Sequence, residues 1–359
     1  MNTNPLLGVA LHWIGGLAAA SFYLPYRGVK RWSWETYWLV GGVFSWIIAP
    51  WVLALVLTRD FVGVLSRTPP QVLLLTWFFG IVWGVGGLTF GLAVRYLGMS
   101  LGYGLALGIC AVCGTLIPPL FNRQLGEIMA TSAGQVTLAG ILICVIGIMI
   151  SALSGLSKER ELSADAKAQA VEEFNFKKGT VIAVVCGLAS ACFAFGLASA
   201  APMAQLSAAA GTPALWTGLP KLVVILCGGF TTNVIWCVAL NVRNGSWREY
   251  ASRRDRKAEP VPLGANFVLC AVAGVVWYFQ FFFYTMGETQ MGRFQFSSWT
   301  LHMASIIIFS TLWGVVLKEW RGTSRRTHRL IASGIGALIL STLVVGFGNY
   351  LAAHQTVGR

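Results

Sequence analysis

Two histidines, two amides and a set of aromatic rings are the side chains in this sequence best suited to chemistry away from water. His302 stands in Trp299-Thr300-Leu301-His302-Met303, and His12 in Leu11-His12-Trp13. Histidine titrates near neutral pH, so either ring could bind and release a proton or donate to a hydroxyl. Gln280 sits within Trp277-Tyr278-Phe279-Gln280-Phe281-Phe282-Phe283-Tyr284, and Asn233 within another apolar run. Each amide offers both donors and acceptors. The C–H faces of a small polyol pack on aromatic rings while its hydroxyls bond to amides, so Gln280, Trp277, Asn233, Trp83 and His12 are the expected ligand contacts. His302 is the expected proton-responsive group. Lys221, just after Pro220, could snorkel outward or pair with a charge. Glu35, Glu127, Glu288 and Glu319 fall at the ends of apolar runs, which leaves no carboxylate clearly at mid-depth.

What must position these residues is a membrane. Apolar runs start near Leu6, Thr36, Val72, Ser100, Ala133, Gly179, Pro213, Gly264, Gly292 and Thr327, each close to the roughly 20 residues that cross a hydrocarbon core of about 30 Å. With 56% hydrophobic and 11% charged residues among 359, too little polar surface remains to cover soluble domains. An all-α integral membrane protein with ten transmembrane helices is expected. His302 then lies some ten residues into span nine, about 15 Å deep at 1.5 Å per residue.

The basic residues orient the bundle. Most of the 26 Lys and Arg residues fall in every second connection, as in Lys30-Arg31, Lys177-Lys178, Arg253-Arg254-Asp255-Arg256-Lys257 and Arg325-Arg326. The intervening connections hold only Arg59, Arg67, Arg123 and Arg293. The positive-inside rule places the basic loops in the cytoplasm and both termini outside. The net charge of +13 is then met by anionic lipid. A basic groove for nucleic acid would need charge gathered on one face, and no nucleic-acid partner is expected. No cleavable leader is expected before the first span, because Met1 to Leu6 carries no positive region.

All eight cysteines lie inside the apolar runs, where they behave as small apolar residues. Neither disulfides nor a metal site is expected, and Cys110/Cys113 reads as one helical turn. The sequence holds no HExxH, no paired acids, no ligand-spaced His/Cys set and no Gly-x-x-x-x-Gly-Lys-Ser/Thr loop. No catalytic residue and no cofactor is therefore expected, and an ion gradient is the expected energy source.

The chain also repeats itself. Gly16-Leu17-Ala18-Ala19-Ala20-Ser21-Phe22 returns as Gly187-Leu188-Ala189-Ser190-Ala191-Cys192-Phe193. Gly41-Gly42 corresponds to Gly228-Gly229, Gly80-Ile81-Val82-Trp83 to Gly274-Val275-Val276-Trp277, and Thr115-Leu116 to Thr311-Leu312. The matches are collinear, and five spans per half make the second copy upside down relative to the first. A 5+5 inverted repeat is expected, with residues 1–157 as the first five-helix unit, 158–176 as a cytoplasmic linker and 177–359 as the second unit. Substrate sites in such proteins lie near the midplane between the halves.

Several segments carry a resemblance to a known family. They include His12-Trp13-Ile14-Gly15, Phe22-Tyr23-Leu24-Pro25, Lys30-Arg31-Trp32-Ser33-Trp34-Glu35-Thr36, Arg95-Tyr96-Leu97-Gly98-Met99-Ser100, Phe174-Asn175-Phe176-Lys177-Lys178-Gly179, the Trp277–Tyr284 run, Leu301-His302-Met303 and Leu317-Lys318-Glu319-Trp320. Through them, nearly end to end, the chain resembles the L-rhamnose/proton symporters of the drug/metabolite transporter superfamily. The resemblance implies a bacterial inner-membrane protein with the drug/metabolite transporter fold that imports L-rhamnose with a proton. The chain departs from the family pattern at Gly86-Gly87-Leu88-Thr89, where an Asn-rich stretch is expected, and at Gln295, where an acid is expected. Both departures are expected near the cavity, which leaves a related deoxysugar or another small polyol as alternatives. Export or import of another small polar metabolite, and a membrane-embedded enzyme or sensor, are the competing readings.

Overall fold

The structure is a computed structural model that describes residues 3–161, 175–255 and 257–355. Helix is the only extended regular structure among them, because a backbone in lipid must satisfy its polar groups within its own segment. Ten helical segments are long and apolar enough to cross a membrane. The first five are α1 (Pro5–Tyr26), α2 (Trp34–Leu57), α3 (Pro70–Phe90), α4 (Gly104–Phe121) and α5 (Ser132–Lys158). The second five are α6 (Lys177–Ala209), α7 (Ala214–Asn244), α8 (Leu263–Gln290), α9 (Gly292–Val316) and α10 (Arg325–His354). Most of the linker expected over 158–176 lies outside the described residues.

One connection differs from expectation. No loop separates α3 from α4, and the chain is helical throughout Pro70–Phe121, 52 residues. A straight helix of that length would run about 78 Å, more than twice the hydrocarbon thickness. It doubles back instead. Phe79, Gly86 and Leu97 meet Gly196, Ser190 and Gly179 in turn, so α3 runs antiparallel to α6. Beyond the reversal Ala106 and Ile109 meet Gly187, so α4 runs parallel to α6. The reversal falls between Leu97 and Ala106, just after Arg95.

Close crossings of glycines organise the packing. Gly274 of α8 lies against the Gly41 carbonyl of α2, and Gly228 of α7 lies against Gly80 and the Trp77 carbonyl of α3. Gly16 of α1 faces Ser305 of α9, and Gly187 of α6 faces α4. Small residues at such crossings let helices approach closely where lipid gives no hydrophobic drive to pack.

A π-helical turn widens α2 over Val43–Ile48. Its cause is Pro50, which has no N–H to give the Trp46 carbonyl. The ladder shifts by one residue, and the Ala49 N–H bonds to the Phe44 carbonyl. The turn carries Ser45 and Trp46, both of which line the central cavity.

The face opposite the termini is laced by polar contacts between loops. Ser33 donates from both its N–H and its hydroxyl to Glu249, at 2.7 Å each. Asn266 bonds the Lys30 backbone in both directions at 3.1 and 2.9 Å, and Arg31 pairs with Glu259. Within the bundle, Glu35 accepts from Asn244 at 2.9 Å and Ser246 at 2.7 Å. On the same face Glu161 accepts from the Ser324 N–H at 2.5 Å and from the Ser324 and Thr327 hydroxyls at 2.6 Å. These hydroxyl and N–H donors at the entry to α10 hold the Glu161 carboxyl down at about 2, against an ordinary 4.5. A depressed carboxyl contributes stability above its unfolded value and loses it as pH falls through its folded one. The clamp between α5 and α10 is therefore expected to hold at neutral pH, weaken below about 4.5 and release near 2. Hydrogen exchange over 324–328 checks this, with Glu161→Gln expected to speed exchange already at pH 7.

Candidate functional site

α8 carries the centre of the site because its residues 277, 281, 284 and 288 recur at helical spacing and share one face. Trp277 meets Trp46 of α2 edge-on at 5.4 Å, Trp83 of α3 at 5.9 Å and Phe281 at 5.2 Å. Phe281 stacks on Phe193 of α6 at 4.0 Å. Trp83 and Trp277, the two rings expected to receive a ligand, thus face each other between the halves of the chain.

A cavity opens beside this cluster, lined by Phe22, Tyr26, Trp38, Gly42, Ser45, Trp46, Gly274 and Trp277. Its volume, about 10 Å³, is room for one water. It is too small for a hexose.

The other expected contacts sit at the two ends of the ring cluster. Asn233 accepts from the Trp38 indole N–H at 3.2 Å and donates to the Gly229 carbonyl at 2.9 Å. It reaches the cavity through Trp38, which stacks on Trp34 at 5.4 Å and contacts Phe22, Tyr23 and Tyr26. Gln280 is 6% exposed and stands where α8 crosses Gly15 of α1. Its side chain has no hydrogen-bond partner among the described residues, which leaves all of its donors and acceptors for a ligand.

His12 and His302 come together away from the cavity. Their ring centroids each lie 5.3 Å from that of Tyr284, on α1 and α9 respectively. His12 is fully buried and His302 is 1% exposed, yet none of their four ring nitrogens has a partner among the described residues. Buried polar atoms are nearly always satisfied, so the pair stands out as chemically unspent. Phe281 connects it to the ring cluster, with its centroid 5.8 Å from His302.

Two expectations are sharpened and one needs correction. Lys221 does not snorkel to water: its ammonium lies 2.8 Å from Glu288, with side chains 8% and 15% exposed. Glu288, placed at a span end by the apolar pattern, is thus a largely buried acid, because the crossing of α7 over α8 covers it. The two departures from the family pattern are not at the cavity. Gly86 packs against Ser190, and Gln295 is exposed on the turn Gly292–Ser297 that leads into α9. Trp38, Trp46, Tyr284 and Glu288 were not singled out from sequence. Pro50 four residues after Trp46 was the signal for the first pair, and opposite charges in adjacent spans, Lys221 and Glu288, for the second.

With this geometry the comparisons with known proteins agree. The family model for L-rhamnose-proton symport protein (RhaT) matches residues 1–352. The chain belongs to that family. It is 39% identical over 349 residues to an L-rhamnose-proton symporter of Klebsiella pneumoniae (strain 342), covering 97% of this chain and 99% of the relative. Relatives of the same name from Mannheimia succiniciproducens (38%) and Shigella flexneri (39%) match over the same shares. This is a family of membrane transporters and not of enzymes.

Proposed function

We propose that this RhaT-family chain imports L-rhamnose, or a closely related deoxysugar, across the bacterial inner membrane by proton symport. The observation that carries the reading is the full-length match to L-rhamnose-proton symporters, and the ring-and-amide cluster between the helices supports it. The sugar is held between Trp277 and Trp83 with Gln280 as its main hydrogen-bond partner. Asn233 acts by holding Trp38 over the cavity. His12 and His302 flank Tyr284, with His302 as the proton-responsive group and His12 donating to a sugar hydroxyl once the site opens. The proton gradient supplies the energy, and no cofactor takes part.

The halves 1–157 and 177–359 act as inverted copies. Exchanging copies maps α1 on α6, α2 on α7, α3 on α8 and α4 on α9, and the packing follows the exchange. α1 packs on α8 and α9 as α6 packs on α3 and α4. The Gly41–Gly274 crossing becomes Gly228–Gly80, the matched glycines trading partners. With the basic loops in the cytoplasm and both termini outside, rocking of the halves opens the closed cavity to either side.

Uptake of radiolabelled L-rhamnose into proteoliposomes tests this reading. An inward proton gradient should stimulate uptake, and other deoxysugars should compete in graded fashion. Folded protein that takes up no rhamnose would overturn the substrate assignment. Uptake by His302→Ala with unchanged pH dependence would remove His302 from the coupling.

A further inference from the structure

Acid–base groups inside this bundle are few, and the structure strings four of them along one face of α8. Glu288 lies at the end of α8 nearest the chain termini. It meets Lys221 at 2.8 Å, and this ion pair ties α7 to α8. One turn deeper, Tyr284 shares its face, and beyond its ring stand the two unpartnered imidazoles of His12 and His302. Two turns deeper again is Trp277 at the cavity. The groups facing this cluster are thus Lys221 from α7, Tyr284 on α8, His12 from α1 and His302 from α9. Arg293, on the following turn, is paired with Glu127.

Charges at such a position are costly, and a pair is kept where it does something. An aliphatic pair would tie α7 to α8 as firmly without desolvating two ions. What an aliphatic pair lacks is a reversible proton site. We propose that Glu288 takes up the coupling proton from the terminus side, ahead of His302, and that its protonation releases Lys221, freeing α7 from α8. This rests on the proton-symport reading above. The step is balanced: a proton from water forms one O–H bond on the carboxyl, the ammonium keeps its own protons, and the ion pair ends. Loss of the proton on the opposite side restores it. Glu288 cannot hold both the proton and the ion pair, so proton uptake and separation of α8 from α7 go together. Sugar bound at Trp277, on the same rigid helix, supplies that movement. Sugar and proton therefore favour each other's binding, and the effect is reciprocal.

Two transport modes in proteoliposomes test the proposal. Gradient-driven accumulation needs proton release and uptake in every cycle, whereas exchange of internal for external sugar does not. With one proton per sugar, one pH unit sustains about tenfold accumulation, since a tenfold ratio and one pH unit are each about 1.4 kcal/mol. Glu288→Gln is expected to lose that accumulation, leaving internal and external sugar equal, while exchange persists at a measurable rate. Because Glu288→Gln leaves Lys221 unpaired, the Lys221→Met/Glu288→Gln double variant is the second arm, and it too should exchange without accumulating. Accumulation by either variant at the wild-type level would overturn the proposal. Loss of exchange in both, with folded protein, would also overturn it by making the pair a structural tie. Wild-type protein that exchanges rhamnose but ignores the proton gradient would instead overturn proton symport itself.

Discussion

Replacing Gly274 by valine is expected to leave little folded protein. A Cβ at this position would collide with the Gly41 carbonyl and come within 2.9 Å of the Phe44 Cβ. The obstacle is backbone on one side and a β-carbon on the other, so no rotamer change relieves it. Overpacking of this kind costs about 1–3 kcal/mol when side chains can adjust and more when backbone must move. Proteins have only about 5–15 kcal/mol in hand. Gly80→Val should behave alike, since Gly80 meets Gly228 and the Ile225 carbonyl. Gly336→Ala is the control: nothing lies within 4 Å of its Cβ position, and alanine is worth up to about 1 kcal/mol in a helix. Thermal stability by fluorescence-detected size exclusion should fall steeply for the first two and hold or rise for the third. Equal stability of all three would mean that the glycine crossings do not set the packing.

The ten spans were legible because hydropathy in lipid is a nearly sufficient signal, and each apolar run became a helix within a few residues of its expected start. The α3–α4 connection was not legible as helix, because a basic residue among glycines reads as a loop when nothing shows how tightly the chain reverses. The site was half legible. Among the candidate residues, Trp277 and Gln280 stand out by an amide among rings, Trp83 by its match to Trp277 in the repeat, and His302 by its depth. Trp38 and Trp46 look like interfacial tryptophans in sequence, and only the crossing of α2 with α8 turns them inward. The burial of Glu288, at the span end where the apolar pattern placed it, was not legible for a general reason. Depth along a helix predicts exposure only if no neighbour covers its end, and coverage is a property of the packing of α7 on α8. The pairing of His12 with His302 around Tyr284 joins residues about 290 positions apart in sequence and depends likewise on tertiary contacts.

Trp277→Ala is expected to weaken rhamnose binding by about 30-fold, the consequence of truncating a ring anchor worth about 2 kcal/mol. The size follows from its position. Trp277 is the ring shared by the cavity lining and by contacts to Trp46, Trp83 and Phe281, so its loss removes one stacking face and loosens the other. Trp277→Phe keeps an apolar face and should lose a smaller factor. Trp83→Ala should fall between them, because Trp83 also leans on Phe193 at 4.9 Å and its removal disturbs packing that does not touch the cavity. Equilibrium binding to purified protein separates affinity from turnover. A Trp277→Ala variant with wild-type affinity and slowed exchange would make Trp277 part of the moving core. Weakened affinity with exchange restored at high sugar concentration would place the sugar against its ring. The second outcome is expected because a 10 Å³ cavity must enlarge to take a sugar, and Trp277 is the large α8 side chain lining its seam with α2.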